Sequence, residues 1–306
     1  MGMPYPMHPG RSARLERSCT APPRDWIRAA PPQAGFERLE AFFAGHGYAP
    51  HRHDTYAIGL TLQGVQSFDY RGTTAHSRRG QAIILHPDEV HDGRAGTDAG
   101  FLYRMAYIEP RLIRDALGVR RRSLPFAGDP VTDDAGLIAA ILPSLEDLDT
   151  PLEDLQRDQV LAALAEALVA LDRSDRCIEG GATNGAAVAR AREFLDANCR
   201  RVVRSDQLEA VAGMSRYALA RHFRACLGTS PYRYLTMRRL DCAKRLMLSG
   251  VPLAESAAAS GFADQSHLTR QFKKAYGLSP GRWQQVAAAN SRAAPRASPR
   301  TCAGAA

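Results

Sequence analysis

No stretch of this chain approaches the roughly 18 consecutive apolar residues that a membrane-crossing helix requires. The opening MGMPYPMHPGRSARLERSC likewise has no apolar run of the kind a secretory leader carries. Both absences lead to the expectation of a cytoplasmic protein with no membrane among its partners, and Met3 and Met7 leave the starting residue open. Paired cysteines are missing too. Cys19, Cys177, Cys199, Cys226, Cys242 and Cys302 lie apart with no C-x-x-C among them, which argues against a zinc knuckle or a disulfide framework and for reduced, structural thiols. Neither end has a periodic apolar face. Residues 1–34 hold Pro22, Pro23, Pro31 and Pro32 among arginines, and 286–306 are mostly Ala, Ser, Arg and Pro, so both read as disordered segments.

What is present is enough chain for two cores: 306 residues with ordinary apolar and charged fractions, 45% and 24%. The net charge of +8 is unevenly divided. Residues 186–285 carry 17 Arg and Lys against 7 Asp and Glu, whereas residues 35–185 carry 15 against 23. An acidic half joined to a strongly basic one is the pattern of a protein with one domain facing a polyanion, although two solvated surfaces of opposite sign give the same totals.

In the acidic half, Tyr56, Ile58, Leu60 and Leu62 alternate, Val65 to Tyr70 runs to a turn at Arg71-Gly72, and strand signals follow at 83–85 and 101–108. Short strands punctuated by Gly and Pro predict a small antiparallel barrel or sandwich. After Pro110 the period becomes helical. One helix, Leu152 to Leu171, places Leu152, Leu155, Val160, Ala163, Leu164, Ala167, Leu168 and Leu171 on one face, expected to cover the barrel, a second copy of the chain, or both.

The basic half contains a duplication. Gly213–Tyr234, GMSRYALARHFRACLGTSPYRY, returns in GFADQSHLTRQFKKAYGLSPGRW, Gly261–Trp283, with a shift of 49 residues when Ser215 is set against Asp264. Leu219/Leu268, Arg221/Arg270, Phe223/Phe272, Gly228/Gly277, Ser230/Ser279, Pro231/Pro280 and Arg233/Arg282 coincide. In each copy a Gly permits a sharp turn, Ser215 or Asp264 is suited to cap the next helix, and Leu and Phe recur at helical spacing on an inward face. That is a helix-turn-helix outline. Tyr217, Ala220, Arg221 and Arg224 share the outward face of the first copy; Ser266, Thr269, Arg270 and Lys273 share that of the second, with Gln265 and His267 at its edge. Such a stripe suits the major groove, where Arg grips guanine through two hydrogen bonds and Gln reads adenine. Arg224, Lys273 and Lys274 suit phosphates. Between the copies, YRYLTMRRLDCAKRLMLS predicts one connecting helix of about 27 Å.

The stretch from Arg190 to Trp283, and above all GF-x(5)-L-x-R-x-FK-x(3)-G-x-SP, resembles the AraC/XylS class of bacterial transcription regulators. The resemblance implies a DNA-binding domain of two helix-turn-helix units joined by a long helix. It also implies that Arg216, Tyr217, Ala220 and Arg221 in the first unit, and Gln265, Ser266, His267 and Arg270 in the second, face bases. Two positions depart from the family pattern, Glu209 in place of Ala and Ser256 in place of an aliphatic residue. A buried Ser costs roughly 1–3 kcal/mol without a partner, so its hydroxyl is expected to bond back to a helix carbonyl.

The stretch from HRHDTYAIGLTLQG through RGQAIILHPDEVHDG resembles the amino-terminal effector domain of the same family, a cupin-like barrel. His51 and His53 project to one face of a strand and His91 follows the second motif. In metal-binding cupins such histidines join a glutamate, but Ala57 and Ile58 stand where that glutamate belongs. The three histidines are therefore expected to line an effector pocket, with no metal and no cofactor.

The expected fold is α+β and multidomain: a disordered arm (1–34), a cupin-like β-barrel (35–110), a helical cover and dimerisation region (111–172), a linker (173–185), an all-α double helix-turn-helix domain (186–285) and a disordered tail (286–306). The function expected is a sequence-specific, effector-controlled transcription regulator. It would act as a homodimer on double-stranded operator DNA with a small-molecule effector and RNA polymerase as partners, and the resemblance favours activation over repression. The alternatives are a metal-dependent cupin enzyme fused to a DNA-binding module and a nonspecific architectural DNA binder.

Overall fold

The structure, a computed structural model, describes residues 25–118, 124–172 and 184–293. Nine strands form the amino-terminal domain: β1 Trp26–Ala29, β2 Phe36–Phe43, β3 His46–His51, β4 Tyr56–Tyr70, β5 Thr73–Arg78, β6 Ala82–Leu85, β7 His91–Ala95, β8 Phe101–Ile108 and β9 Val131–Thr132. One face of the barrel-like sheet runs β1-β2-β8-β4-β6-β9, and β4 also pairs with β5 and β7, while β3 pairs with β7. All pairings are antiparallel. The β4–β5 hairpin turns at Arg71-Gly72, where both residues have positive φ (51° and 82°), the twist that matches a right-handed ribbon.

Strand β4 sits between two cores, so its alternation separates two buried faces rather than a buried face from a wet one. Tyr56, Ile58 and Leu60 pack with Phe36, Ile108 and the helices. Ala57 faces the barrel interior, which Phe43, Phe68, Tyr70, Phe101, Tyr103 and Met105 fill. The helical layer is α1 Pro110–Leu117, α2 Ala135–Leu145 and α3 Asp154–Leu171. Proline opens α1, and Asp134 Oδ1 caps α2 by accepting from Leu137 N at 2.7 Å. On α3 the buried residues are Val160, Leu161, Leu164, Ala165 and Leu168, and Leu155 is 81% exposed. The expected face is corrected there: five positions before Val160, Leu155 lies about 140° around the helix from the buried stripe.

Among the described residues, seven helices form the carboxy-terminal domain: α4 Gly185–Asn198, α5 Ser205–Ala212, α6 Arg216–Leu227, α7 Pro231–Leu248, α8 Leu253–Ala259, α9 Gln265–Tyr276 and α10 Pro280–Ala293. Their order supplies the two helix-turn-helix units, α5–α6 and α8–α9, with α7 between.

Both terminal expectations are corrected in part. Within the arm assigned to 1–34, Trp26–Ala29 forms β1 along β2 and buries Ile27; residues 1–24 lie outside the described residues. Within the tail assigned to 286–306, α10 runs on to Ala293, and Val286 joins the barrel's apolar cluster. These two segments pack on each other, and Arg282 pairs with Asp25. Neither has a strong local signal because each is stabilised by the other. The sheet also exceeds the limits assigned to the barrel, 35–110, by β1 and β9. The stretch assigned to the linker lies, over 173–183, outside the described residues.

Buried Arg38 ties the sheet to the helical cover. From β2 it donates to the carbonyls of Ser144 (3.0 Å), Asp147 (2.8 Å) and Thr150 (2.7 Å). Arg38→Ala leaves these acceptors without a donor, and a loss of roughly 3 kcal/mol in unfolding free energy is expected from urea denaturation. A loss below about 1 kcal/mol would mean that water takes over the three carbonyls.

Candidate nucleic-acid interface and effector site

In the first unit, Gly213 takes the left-handed conformation (φ 69°) and Ser215 Oγ caps α6 by accepting from Ala218 N at 3.4 Å. Glu209, the residue that departs from the family pattern, has a local function. Its Oε1 accepts from Arg216 N at 2.7 Å, placing a carboxylate at the positive end of α6. In the second unit Asp264 Oδ1 accepts from His267 N at 2.6 Å. Buried Ser256 donates to the Val251 carbonyl at 3.2 Å, a carbonyl just ahead of α8 rather than within it.

The helix α7 belongs to both units. Tyr234 and Leu235 close the first cluster with Leu219 and Phe223; Met237, Leu240, Ala243 and Met247 close the second with Leu268 and Phe272. Arg216, Tyr217 and Arg221 on α6, and Gln265, Ser266 and Arg270 on α9, are exposed. Ala220 and His267 are half-buried, and the His267 ring stands edge-on to Phe262 at 5.4 Å. The Arg216 guanidinium lies 5.2 Å from the centre of the Tyr217 ring. Of the residues suited to phosphate, Lys273 and Lys274 are exposed at the end of α9, and Arg224, also exposed, lies 3.7 Å from Asp88 of the amino-terminal domain.

His51, His53 and His91 come together as a buried cluster. Their ring centres are 4.3 Å apart for His51 and His91, 4.9 Å for His53 and His91, and 6.2 Å for His51 and His53. Each ring binds a nearby carbonyl through Nδ1: His51 to Ala49 (2.9 Å), His53 to Thr55 (2.9 Å) and His91 to Glu89 (3.0 Å). A carbonyl only accepts, so the proton sits on Nδ1 and Nε2 keeps its lone pair. His53 Nε2 is buried with no partner. Burial, then the neighbouring imidazoles, holds His51 and His53 well below the usual histidine range; burial takes His91 down to about 4. Among the described residues, no three His, Cys, Asp or Glu side chains are arranged to hold a metal ion.

This cluster borders the carboxy-terminal domain. The Ala49 amide donates to the Gly277 carbonyl at 3.0 Å and the Arg52 amide to the Lys274 carbonyl at 3.1 Å, so β3 and the residue just beyond it meet the end of α9. Nearby, Arg238 of α7 reaches Glu109 (2.8 Å), Asp54 (3.3 Å) and Asp241 (3.4 Å). Lys244 reaches Glu37 at 3.1 Å, and Arg233 donates to the Arg52 carbonyl. Burial, with Asp241 and Glu109 adding to it and Arg238 opposing it, pushes the Asp54 carboxyl up to about 6. Asp54 Oδ1 is buried with no partner, and Asp54 lies with Glu109, Arg111, Arg192, Thr229 and Tyr234 around a narrow cleft between the domains. Sequence reasoning missed this junction. The one available signal was the cations Arg233, Arg238 and Lys244 on α7, a helix expected to serve only as a spacer.

The buried histidines set a pH dependence. Neutral in the folded protein and protonated below about 6.5 when unfolded, they make stability fall as pH drops from 6.5 toward 4. His91, with its value of about 4, contributes a loss on the order of 1 kcal/mol by pH 5.5. His86, also taken down to about 4 chiefly by burial, contributes the same, and His51 and His53 act in the same direction. Asp54 opposes them, regaining part of this loss by pH 5.5 because the folded state binds its proton first. Urea denaturation at pH 7.5 and 5.5 is expected to show the net fall, and His91→Asn to reduce it.

Residues 33–165 match the family described as the AraC-like ligand binding domain, and residues 208–285 match a helix-turn-helix domain family. Among curated proteins the chain is 25% identical over 224 residues to the uncharacterised HTH-type transcriptional regulator YbfI of Bacillus subtilis, covering 71% of this chain and 80% of that protein. It is 26% identical over 164 residues to the transcriptional activator NphR of Rhodococcus, covering 50% of this chain and 47% of that protein. Among solved structures, ToxT of Vibrio cholerae superposes with a TM-score of 0.58 over 83% of this chain and 99% of that one, at 12% identity. That likeness is one of fold: a barrel followed by two helix-turn-helix units.

Proposed function

We propose, for a chain that belongs to the AraC family of transcription regulators, that α6 and α9 read two stretches of operator DNA under the control of a small molecule held at the histidine end of the barrel. The reading is supported above all by two capped helices of matched sequence, each with Arg (221 and 270) exposed on the face away from its core. Arg216, Tyr217, Ala220 and Arg221 serve the first helix as base-facing residues; Gln265, Ser266, His267 and Arg270 serve the second. Arg224, Lys273 and Lys274 serve the phosphates. The different residues at the helix starts give the two heads different preferences on one scaffold.

His51, His53 and His91 are the effector-side residues of this reading, supported by their burial, their single shared tautomer and the unused Nε2 of His53. The chain works as an activator that contacts RNA polymerase, in the cytoplasm, without enzymatic activity. It pairs as a homodimer through the helical cover, where Leu142 and Leu155 are exposed.

DNA selected from a random pool by the intact chain tests the reading. Arg221→Ala and Arg270→Ala are each expected to weaken binding to the selected sequence by roughly 1–3 kcal/mol and to relax choice at one position of it. Lys273→Ala is expected to weaken binding to all sequences alike and to lower the salt slope by about 1. Retained sequence choice in both arginine variants would exclude the base-facing assignment.

A further inference from the structure

We propose that the amino-terminal domain is itself a positioning part of the DNA-reading unit, seating the ends of both recognition helices so that their reading faces stand in a fixed relation. The inference rests on the assignment of α6 and α9 as the reading helices. Its first observation is a symmetry of the duplication. Gly228 and Gly277 occupy the same place in the two copies, each capping its helix in the left-handed conformation (φ 70° and 67°). Both press on the amino-terminal domain. A Cβ on Gly228 would lie 2.8 Å from Pro87 Cβ, and one on Gly277 would lie 2.6 Å from the Ala49 carbonyl oxygen and 2.8 Å from His51 Nδ1. One domain thus touches both units at the same repeated residue.

The second observation is that the contact at α9 is part of a core. Leu278 and Val286 belong to the same apolar cluster as Phe43, Tyr70 and Phe101 of the barrel, and the Ala49 and Arg52 amides bond to the Gly277 and Lys274 carbonyls. The pairs of Arg238 with Asp54 and Glu109, and of Lys244 with Glu37, hold α7 to the same domain. Third, docking leaves the reading faces free: Arg216, Tyr217, Arg221, Gln265, Ser266 and Arg270 are exposed with the domains joined. The two units pack in separate clusters that meet along α7. The units also touch where Gly261 approaches the Arg200 backbone, and the amino-terminal domain adds a further connection at the far ends of both recognition helices, so that their orientation is held at more than one place. Preorganised heads lose less freedom on binding DNA.

Two variants open the junction by different routes without touching a base-facing residue. Glu37→Lys sets a cation against Lys244, and Ala49→Pro removes the amide that donates to Gly277. Hydrogen exchange at the Arg52 amide reports opening, and unfolding midpoints near that of the parent chain show that both variants fold. Both are expected to exchange faster at Arg52 and to bind the sequence selected by the parent about tenfold more weakly, from the lost preorganisation. Binding to random-sequence DNA should not be reduced. Glu37→Lys combined with Lys244→Glu should restore protection and affinity together. Unchanged or tighter specific binding in an opened variant overturns the inference, as does an Arg52 amide that stays protected in both variants. Failure of the parent chain to select any sequence would instead remove the DNA-reading assignment on which the inference rests.

Discussion

At Gly277 a helix of one domain ends against a strand of the other with no space for a side chain. An added Cβ would lie 2.6 Å from the Ala49 carbonyl oxygen and 2.9 Å from Tyr48 Cβ, and the backbone there has a φ of +67° that side-chain-bearing residues adopt at a cost. Around this close approach the rest of the arrangement is organised. The Gly277 carbonyl takes the Ala49 amide, Leu278 enters the barrel's apolar cluster, and α10 turns back over β1. The barrel's core therefore continues into the second domain. Displacing α9 would expose Leu278 and Val286 to water as well as break hydrogen bonds.

Charge gives the docking its register rather than its strength. Arg238 is 19% exposed and faces Asp54, Glu109 and Asp241 together. One guanidinium shared by three carboxylates recovers only part of what each loses in leaving water, and the elevated Asp54 carboxyl reflects that shortfall. Lys244 with Glu37 and Arg224 with Asp88 each include a partner more than half exposed, so they contribute little to stability. Their effect is orientation: acidic residues of the first domain meet basic ones of the second at several separated points. The basic excess of the second domain is thus divided. Arg216, Arg221, Arg270 and Lys273 face solvent on α6 and α9, while Arg233, Arg238, Lys244 and Arg282 face the acidic domain.

The duplicated helix-turn-helix units were legible in sequence because their determinants are local. A cap, a turn glycine and an inward Leu and Phe all lie within one helix and its flanks, and Ser215, Gly213, Leu219 and Phe223 occupy the expected positions. Even the two departures resolve locally, Glu209 toward Arg216 N and Ser256 toward Val251 O. The histidine cluster was legible as a set of residues, but its neighbour α9 was not. Asp54 and Arg238 are 184 positions apart and Asp25 and Arg282 are 257 apart, and no periodicity links them. The strand at Trp26–Ala29 and the last turns of α10 escaped for the same reason. Each looks like loose chain until the other is beside it. The face of α3 failed differently: Leu155 lies inside the helix, but its angular position five residues before Val160 puts it off the buried stripe.

The histidine cluster and the cap of α9 are only a few bonds apart. His51 Nδ1 donates to the carbonyl of Ala49, and the amide of that same residue donates to Gly277 at the cap of α9. A rotation of the His51 ring would alter the Ala49 peptide's hydrogen bonding on one side and press on the space that Gly277 keeps empty on the other. A molecule bound at the cluster would have a short physical route to α9, one that needs no relay through the barrel's aromatic interior. Proximity alone does not make a switch: the occupant must bind one arrangement of the junction more tightly than the other, by the same free energy that it adds to or subtracts from DNA binding. Three neutral, closely packed imidazoles are suited to that requirement. A small change in charge or ring orientation among them is costly to accommodate in a buried site, and the His51 ring stands directly against the Gly277 cap of α9.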